Sequence, residues 1–145
     1  MMVDRDEAGA DEPHHFAIRV YYEDTDAGGI VYYANYLKFA ERARTEMLRD
    51  YDAAHSLLQD SHGLTFVVKH CSLDYHYPAR LDDLLDIRTS VRKIGGASIN
   101  LDQRVYHGDR LLVSLDIHLA LLNDMMKPSR LPPALIAALR PQYKG

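Results

Sequence analysis

The chain has 145 residues, enough for one domain with a single core, because a chain of about 150 residues buries about 70% of the surface it exposes when unfolded. An apolar share of 47%, a charged share of 26% and only 8 Gly and 6 Pro exclude a low-complexity or fibrous chain. The 17 basic and 21 acidic side chains leave a net charge of −4, which offers no overall attraction to nucleic acid or to an anionic membrane, so neither is expected as a partner.

The single cysteine, Cys71, cannot close a disulfide within the chain, and this points to a reducing, cytoplasmic setting. Residues 1–15 are acidic and nearly free of large apolar side chains; they read as a disordered tail, with no basic region followed by an apolar run. No later stretch approaches the roughly 18 apolar residues of a transmembrane segment. One domain over residues 16–141 is the expectation.

From Phe16 to Tyr22 the alternation Phe16, Ile18, Val20, Tyr22 against Arg19 and Tyr21 predicts a half-buried strand. It leads into YEDTDAGGIVYYANY, where Glu23, Asp24 and Asp26 stand just before Gly28-Gly29. Carboxylates are thus held beside a backbone that can bend closely around a ligand. Asn35 is the expected N-cap of a helix of about five turns, in which Tyr36, Ala40, Ala43, Met47 and Tyr51 recur at intervals of three and four. The small Ala40 and Ala43 suit a central helix lying close to a sheet. Residues 55–63 read as an irregular connection anchored by Leu57 or Leu58.

The rest is mostly strand. Residues 64–77 alternate until Pro78, and a run of that length is expected to coil or to carry a bulge. Residues 84–94, 98–106 and 111–122 follow, joined by Gly95-Gly96 and by the hairpin signal His107-Gly108-Asp109. Three short connections predict that these four strands are antiparallel neighbours, giving an α+β layer structure with the helix on one face. The prolines of NDMMKPSRLPP stiffen a loop, and Pro133 opens a short terminal helix.

The stretch YYEDTDAGGIVYYANYLKFAERARTEML, together with YPARLDDLLDI and KPSRLP, resembles the hotdog-fold acyl-CoA thioesterases of the 4-hydroxybenzoyl-CoA thioesterase family, nearest their Tol-Pal-associated branch. The likeness runs from Ile18 to Pro132. It implies an antiparallel sheet wrapped around a long central helix. It also implies a homodimer or homotetramer with active sites at the dimer interface. The implied substrate is an acyl-CoA, with acyl carrier protein as an alternative thiol carrier. No cofactor is called for, since coenzyme A is part of the substrate.

In that family the essential carboxylate lies directly before the small-residue turn, a position held here by Asp26. A carboxylate can attack the thioester carbonyl to form an anhydride or deprotonate a water, and the sequence does not choose between these. The amides around Val31, Tyr32 and Tyr33, at the start of the helix, are candidates for an oxyanion site. Tyr33 stands where the nearest branch commonly has histidine, and Tyr22 matches a tyrosine found near the site. Gly95, Gly96 and Ser98 are candidate contacts for the pantetheine arm, and Lys127 and Arg130 for the phosphates.

Among the eight histidines no helical ligand pair occurs; His70 and His76 are strand positions of one face, and no metal is implied. Two other readings stay open. One is hydration or dehydration of an acyl thioester, which needs its own acid/base dyad. The other is a hotdog scaffold for acyl carrier protein or a membrane-linked complex.

Overall fold

The computed structural model describes residues 12–51 and 63–140. Strand β1 (His14–Arg19) is followed by a single 3-10 turn over Tyr22–Asp24 and by helix α1 (Asn35–Asp50). Strands β2 (Thr65–Tyr75), β3 (Leu84–Ile94), β4 (Ser98–His107) and β5 (Arg110–Leu122) come next, then a short helix α2 (Pro133–Leu139) opened by its proline. The strands form one antiparallel sheet in the order β1-β3-β4-β5-β2.

Alternation decides which side chains face α1. Leu85 and Ile87 of β3, Leu101 and Val105 of β4, and Leu115 and Ile117 of β5 are all buried, as a period of two requires. They close on Tyr36, Phe39, Ala40, Ala43 and Met47 of α1, so the sheet wraps the helix in the α+β hotdog arrangement that the resemblance implies. Ala40 and Ala43 have no exposed surface, and their size lets the helix axis lie close to the sheet. No helix among the described residues is long and apolar enough to cross a membrane.

Three expectations are corrected. Strand β1 begins at His14, inside the stretch read as a tail, because His14 and His15 pair with Thr89 and Arg88 of β3. It ends at Arg19, where the chain turns out of the sheet, and Tyr22 sits in the 3-10 turn instead of on a strand face.

Asn35 is not the N-cap. Ala34 holds that position without a side-chain cap, and Asn35 is the first helical residue, its Nδ2 donating to the carbonyl of Asp24 at 2.9 Å.

The four later strands are not successive neighbours either. Only β3, β4 and β5 are joined by hairpins; β2 pairs with β5, and the chain from 76 to 83 crosses from the β2 edge to β3, the strand next to the opposite edge. That crossing has a structural partner, since Arg80 bridges Ile30 and the carbonyl of Ala79 accepts the amide of Val31 at 2.9 Å. The expected irregularity in β2 is present as a register shift between Val68 and His70. The connection with Leu57 and Leu58 lies outside the described residues, apart from Gly63 at its end.

Candidate active site

The loop between the 3-10 turn and α1 is a tight hairpin. Thr25 bridges Val31, the Asp26 amide donates to Ile30 O at 3.0 Å, and the Gly29 amide donates back to Asp26 O at 3.0 Å. The Asp26 side chain completes the turn: its Oδ1 accepts the amide of Gly28 at 2.9 Å. Both glycines follow from this geometry. A Cβ on Gly28 would lie 3.3 Å from Asp26 Oδ1, and Gly29 has φ +80°, where an L side chain is strained. Asp26 is exposed, and its Oδ2 has no hydrogen-bond partner among the described residues.

Asp24 organises the loop. Its Oδ2 accepts the Tyr21 amide at 2.8 Å, while its carbonyl accepts the Tyr32 amide at 3.0 Å and Asn35 Nδ2 at 2.9 Å. Three separate pieces of chain are thereby tied to one residue, and the start of α1 is fixed relative to Asp26. The resemblance had singled out Asp26 from the run of acids; the loop's hydrogen bonds give Asp24 the structural part.

These bonds also sort the amides at the helix start. Val31 donates to Ala79 O and Tyr32 to Asp24 O, so both are engaged within the loop. The amide of Tyr33 has no acceptor among the described residues. It lies two residues before α1, where the helix dipole favours negative charge.

The Tyr33 ring is exposed and packs against Tyr32 with centroids 4.9 Å apart. Its carbonyl accepts the hydroxyl of Tyr75 at 3.3 Å, and Tyr75 also contacts the rings of Tyr33 and Tyr36. Partial burial in this cluster, with the neighbouring Tyr33 phenol adding to it, raises the pKa of Tyr75 and keeps it a proton donor. Tyr36 fixes the other side, accepting the Ala79 amide at 3.0 Å. Together Ile30, Tyr33, Tyr36, Tyr75 and Tyr77 border a cavity of about 320 Å³. Tyr22, by contrast, is 83% exposed and makes no ring contact with this cluster.

The second group of candidate residues forms its own assembly. Gly95 donates to Ser98 O at 2.8 Å, Leu131 donates to Gly96 O at 2.9 Å, and Lys127 O accepts the Asn123 amide at 2.8 Å. Gly95, Gly96, Ser98, Lys127 and Arg130 therefore lie along one loop pair, with Lys127 and Arg130 exposed. This assembly is at the Ser98 end of β4, whereas Tyr75 pairs with Val113 and hence lies level with Val105. At about 3.3 Å per residue the two groups are separated by roughly 23 Å along the sheet. One protomer does not bring them together.

The histidines serve the outer surface. His70 meets His118 edge-on at 5.2 Å, and His76 turns Nε2 to Ser114 Oγ at 3.3 Å. Two residues that the sequence reading passed over matter more. Gln103 is fully buried and gives Nε2 to Ala40 O and Thr89 Oγ1, both at 3.0 Å, while its Oε1 accepts Arg44 Nη1 at 3.0 Å. A polar residue between Leu101 and Val105 on the inward face of β4 was the available signal.

A fold with one sheet wrapped around one helix, and an exposed carboxylate in the tight loop that leads into that helix, defines a class, and comparison with known proteins agrees with it. Residues 28–114 match the family model described as the thioesterase superfamily, and the chain belongs to that family. The match begins two residues after Asp26. Among curated relatives, an acyl-CoA thioesterase of Haemophilus influenzae is 43% identical over 129 residues, covering 88% of this chain and 95% of its own. An acyl-CoA thioester hydrolase of Escherichia coli is 42% identical, covering 85% of this chain and 92% of its own. A solved structure described as a probable thioesterase from Bartonella henselae superposes with a TM-score of 0.79 at 41% identity, over 83% of this chain and 99% of the other.

Proposed function

We propose that this protein hydrolyses acyl-CoA thioesters to a carboxylic acid and coenzyme A, with Asp26 as the reacting carboxylate. The observation that carries this reading is that the hydrogen bonds that build the loop engage the amides of Val31 and Tyr32 but leave Asp26 Oδ2 and the Tyr33 amide without partners among the described residues. One is a nucleophile or base; the other is a donor for the oxygen that becomes negative. The relatives named above support the substrate class.

Two routes use these groups. In the first, Asp26 Oδ2 bonds to the thioester carbon, the Tyr33 N–H stabilises the oxyanion, and the C–S bond breaks to release the thiolate of coenzyme A. Water then cleaves the mixed anhydride and restores the carboxylate. In the second, Asp26 takes a proton from the water that attacks, and the same amide serves the same oxygen. Thiolate leaves readily, so neither route requires a metal. Hydration of an acyl thioester is less well served, because the imidazole that borders the cavity beside Tyr33, that of His76, is turned to Ser114.

The decisive measurement is free thiol release from short, long and aromatic acyl-CoAs by the wild type and by Asp26→Asn. Turnover should fall by about 10²–10⁴-fold in the variant, with the thermal midpoint within a few degrees of wild type. Near-normal turnover would sink the assignment. A single turnover in oxygen-18 water tests the first route, since label in the carboxylate of Asp26 requires that water has opened the anhydride at the aspartyl carbon.

The separation of the two residue groups supports a second element of the proposal. β2 is an edge strand, and Val68 and Tyr75 on it are exposed. Pairing β2 antiparallel with its own copy runs the strands head to tail, so the Thr65 end of one lies beside the Tyr75 end of the other. That dimer sets the Lys127–Arg130 loop of one protomer toward the Asp26 loop of its partner.

A further inference from the structure

The amide of Tyr33 is the open donor at the helix start, and because a trans peptide is planar its direction is set by the groups on either side. Its own peptide carries the carbonyl of Tyr32, which accepts the Asn35 amide at 2.8 Å. The amide of Tyr32 donates to Asp24 O at 3.0 Å, so the chain is also held one residue before the donor. On the far side stands the Tyr33 carbonyl. It accepts no backbone amide among the described residues, and its partner is the hydroxyl of Tyr75 at 3.3 Å. Of the three restraints on this amide, two are backbone bonds within the loop and helix start; the third comes from a side chain 42 residues further on.

Tyr75 is itself firmly held. It is the last residue of β2, where it pairs with the buried Val113 of β5. Its ring meets that of Tyr33 edge-on with centroids 6.2 Å apart, and that of Tyr36 at 5.9 Å. Tyr36 is buried and accepts the Ala79 amide at 3.0 Å, while Ala79 O accepts the Val31 amide at 2.9 Å. The residues that follow β2 thus brace at Val31 the same loop that Tyr75 braces at Tyr33. Partial burial raises the pKa of Tyr75, and the Tyr33 phenol beside it adds to this, so the hydroxyl stays protonated and donates. These contacts lie within one protomer and need no second copy.

An oxyanion donor is effective to the extent that it is aimed before the charge develops; a peptide free to rotate loses part of the stabilisation to being ordered. We infer that Tyr75 is a positioning residue for the oxyanion donor: its hydroxyl holds the Tyr33 carbonyl, and through it the backbone that aims the Tyr33 N–H at the thioester oxygen. The role requires no contact with the reacting atoms. The inference rests on the thioester-hydrolase reading above.

Tyr75→Phe keeps the ring and removes only the hydroxyl. On the acyl-CoA that wild type cleaves fastest, kcat should fall by about 3- to 10-fold, the range that one neutral hydrogen bond spans, with KM within about twofold of wild type. The decisive comparison is made in Tyr33→Pro, where no N–H remains to be aimed: there Tyr75→Phe should lower kcat by less than about twofold. An equal loss in both backgrounds is what a merely structural tyrosine gives, and it overturns the inference. So does an unchanged kcat in Tyr75→Phe, or a loss carried by KM, which makes the hydroxyl part of the cavity wall instead.

Where circular dichroism shows that Tyr33→Pro does not fold, the infrared carbonyl stretch of a bound ketone analogue, with a methylene in place of the thioester sulfur, takes its place. A donor aimed at the oxygen lowers that frequency. Tyr75→Phe should move it back toward the free value, and an unchanged frequency overturns the inference. A wild type that cleaves none of the short, long and aromatic acyl-CoAs overturns the hydrolase reading and this inference with it, whereas a wild type that cleaves them no faster than Tyr75→Phe overturns the inference alone.

Discussion

Tyr33 carries two separate capacities, an amide and a phenol, and the loop's hydrogen bonds distinguish them. The amides of Val31 and Tyr32 are engaged by Ala79 and Asp24, whereas that of Tyr33 is open; its hydroxyl makes no hydrogen bond among the described residues. Tyr33→Phe should therefore keep most of the activity. Tyr33→Pro, which removes the N–H and nothing else that the mechanism uses, should lose about 10²–10³-fold in kcat, the usual effect of deleting one oxyanion donor. Steady-state kinetics on both variants, with thermal midpoints alongside, checks this; a phenol role appears as a comparable loss in Tyr33→Phe. Asp26 was singled out as the candidate carboxylate by the family resemblance, and its turn to Gly28 is the local bond an aspartate before Ala27-Gly28-Gly29 is expected to make. The choice among three successive amides was not legible, since it depends on carbonyls at Asp24 and Ala79 that reach the loop only after folding.

At the scale of elements, α1 is joined to the sheet by more than apolar contact. Gln103 satisfies the Ala40 carbonyl, the Thr89 hydroxyl and Arg44 at once, all near the middle of the helix–sheet interface. Gln103→Leu fills the space but leaves those three groups unpaired, so it should destabilise the fold by about 2–4 kcal/mol, measured by urea unfolding. A loss below ~1 kcal/mol would show that water replaces the amide. The bounds of β3, β4 and β5 were readable to within a residue because one face of each is buried and one is wet, which imposes strict alternation. Strand order was not. Residues 76–83 have the length of a hairpin loop, and local pattern cannot show that they cross the helix start to join Ile30 and Val31. Asn35 misled for a related reason: an asparagine before a helix reads as a cap, yet its amide serves the distant carbonyl of Asp24.

At the scale of the molecule, the roughly 23 Å between the Asp26 loop and the Lys127–Arg130 loop is the dimension that matters. A substrate anchored by both within one chain would have to run the length of the sheet. Head-to-tail pairing of two β2 edges, the dimer proposed above, would give each site a carboxylate from one protomer and a basic loop from the other. A two-fold dimer has two such sites, related by symmetry. Mixing experiments can separate the arrangements. Asp26→Asn and the double variant Lys127→Glu/Arg130→Glu should each be weakly active alone. After the two are unfolded together and refolded, half of the dimers are heterodimers, and in each of these one site carries both defects while the other carries neither. Activity should then recover to roughly a quarter of wild type at equal subunit ratio. If each site were built within one protomer, every site in the mixture would carry one defect and no recovery would follow. The recovered fraction should also track the heterodimer population as the mixing ratio is varied, which ties the activity to assembly instead of to refolding yield.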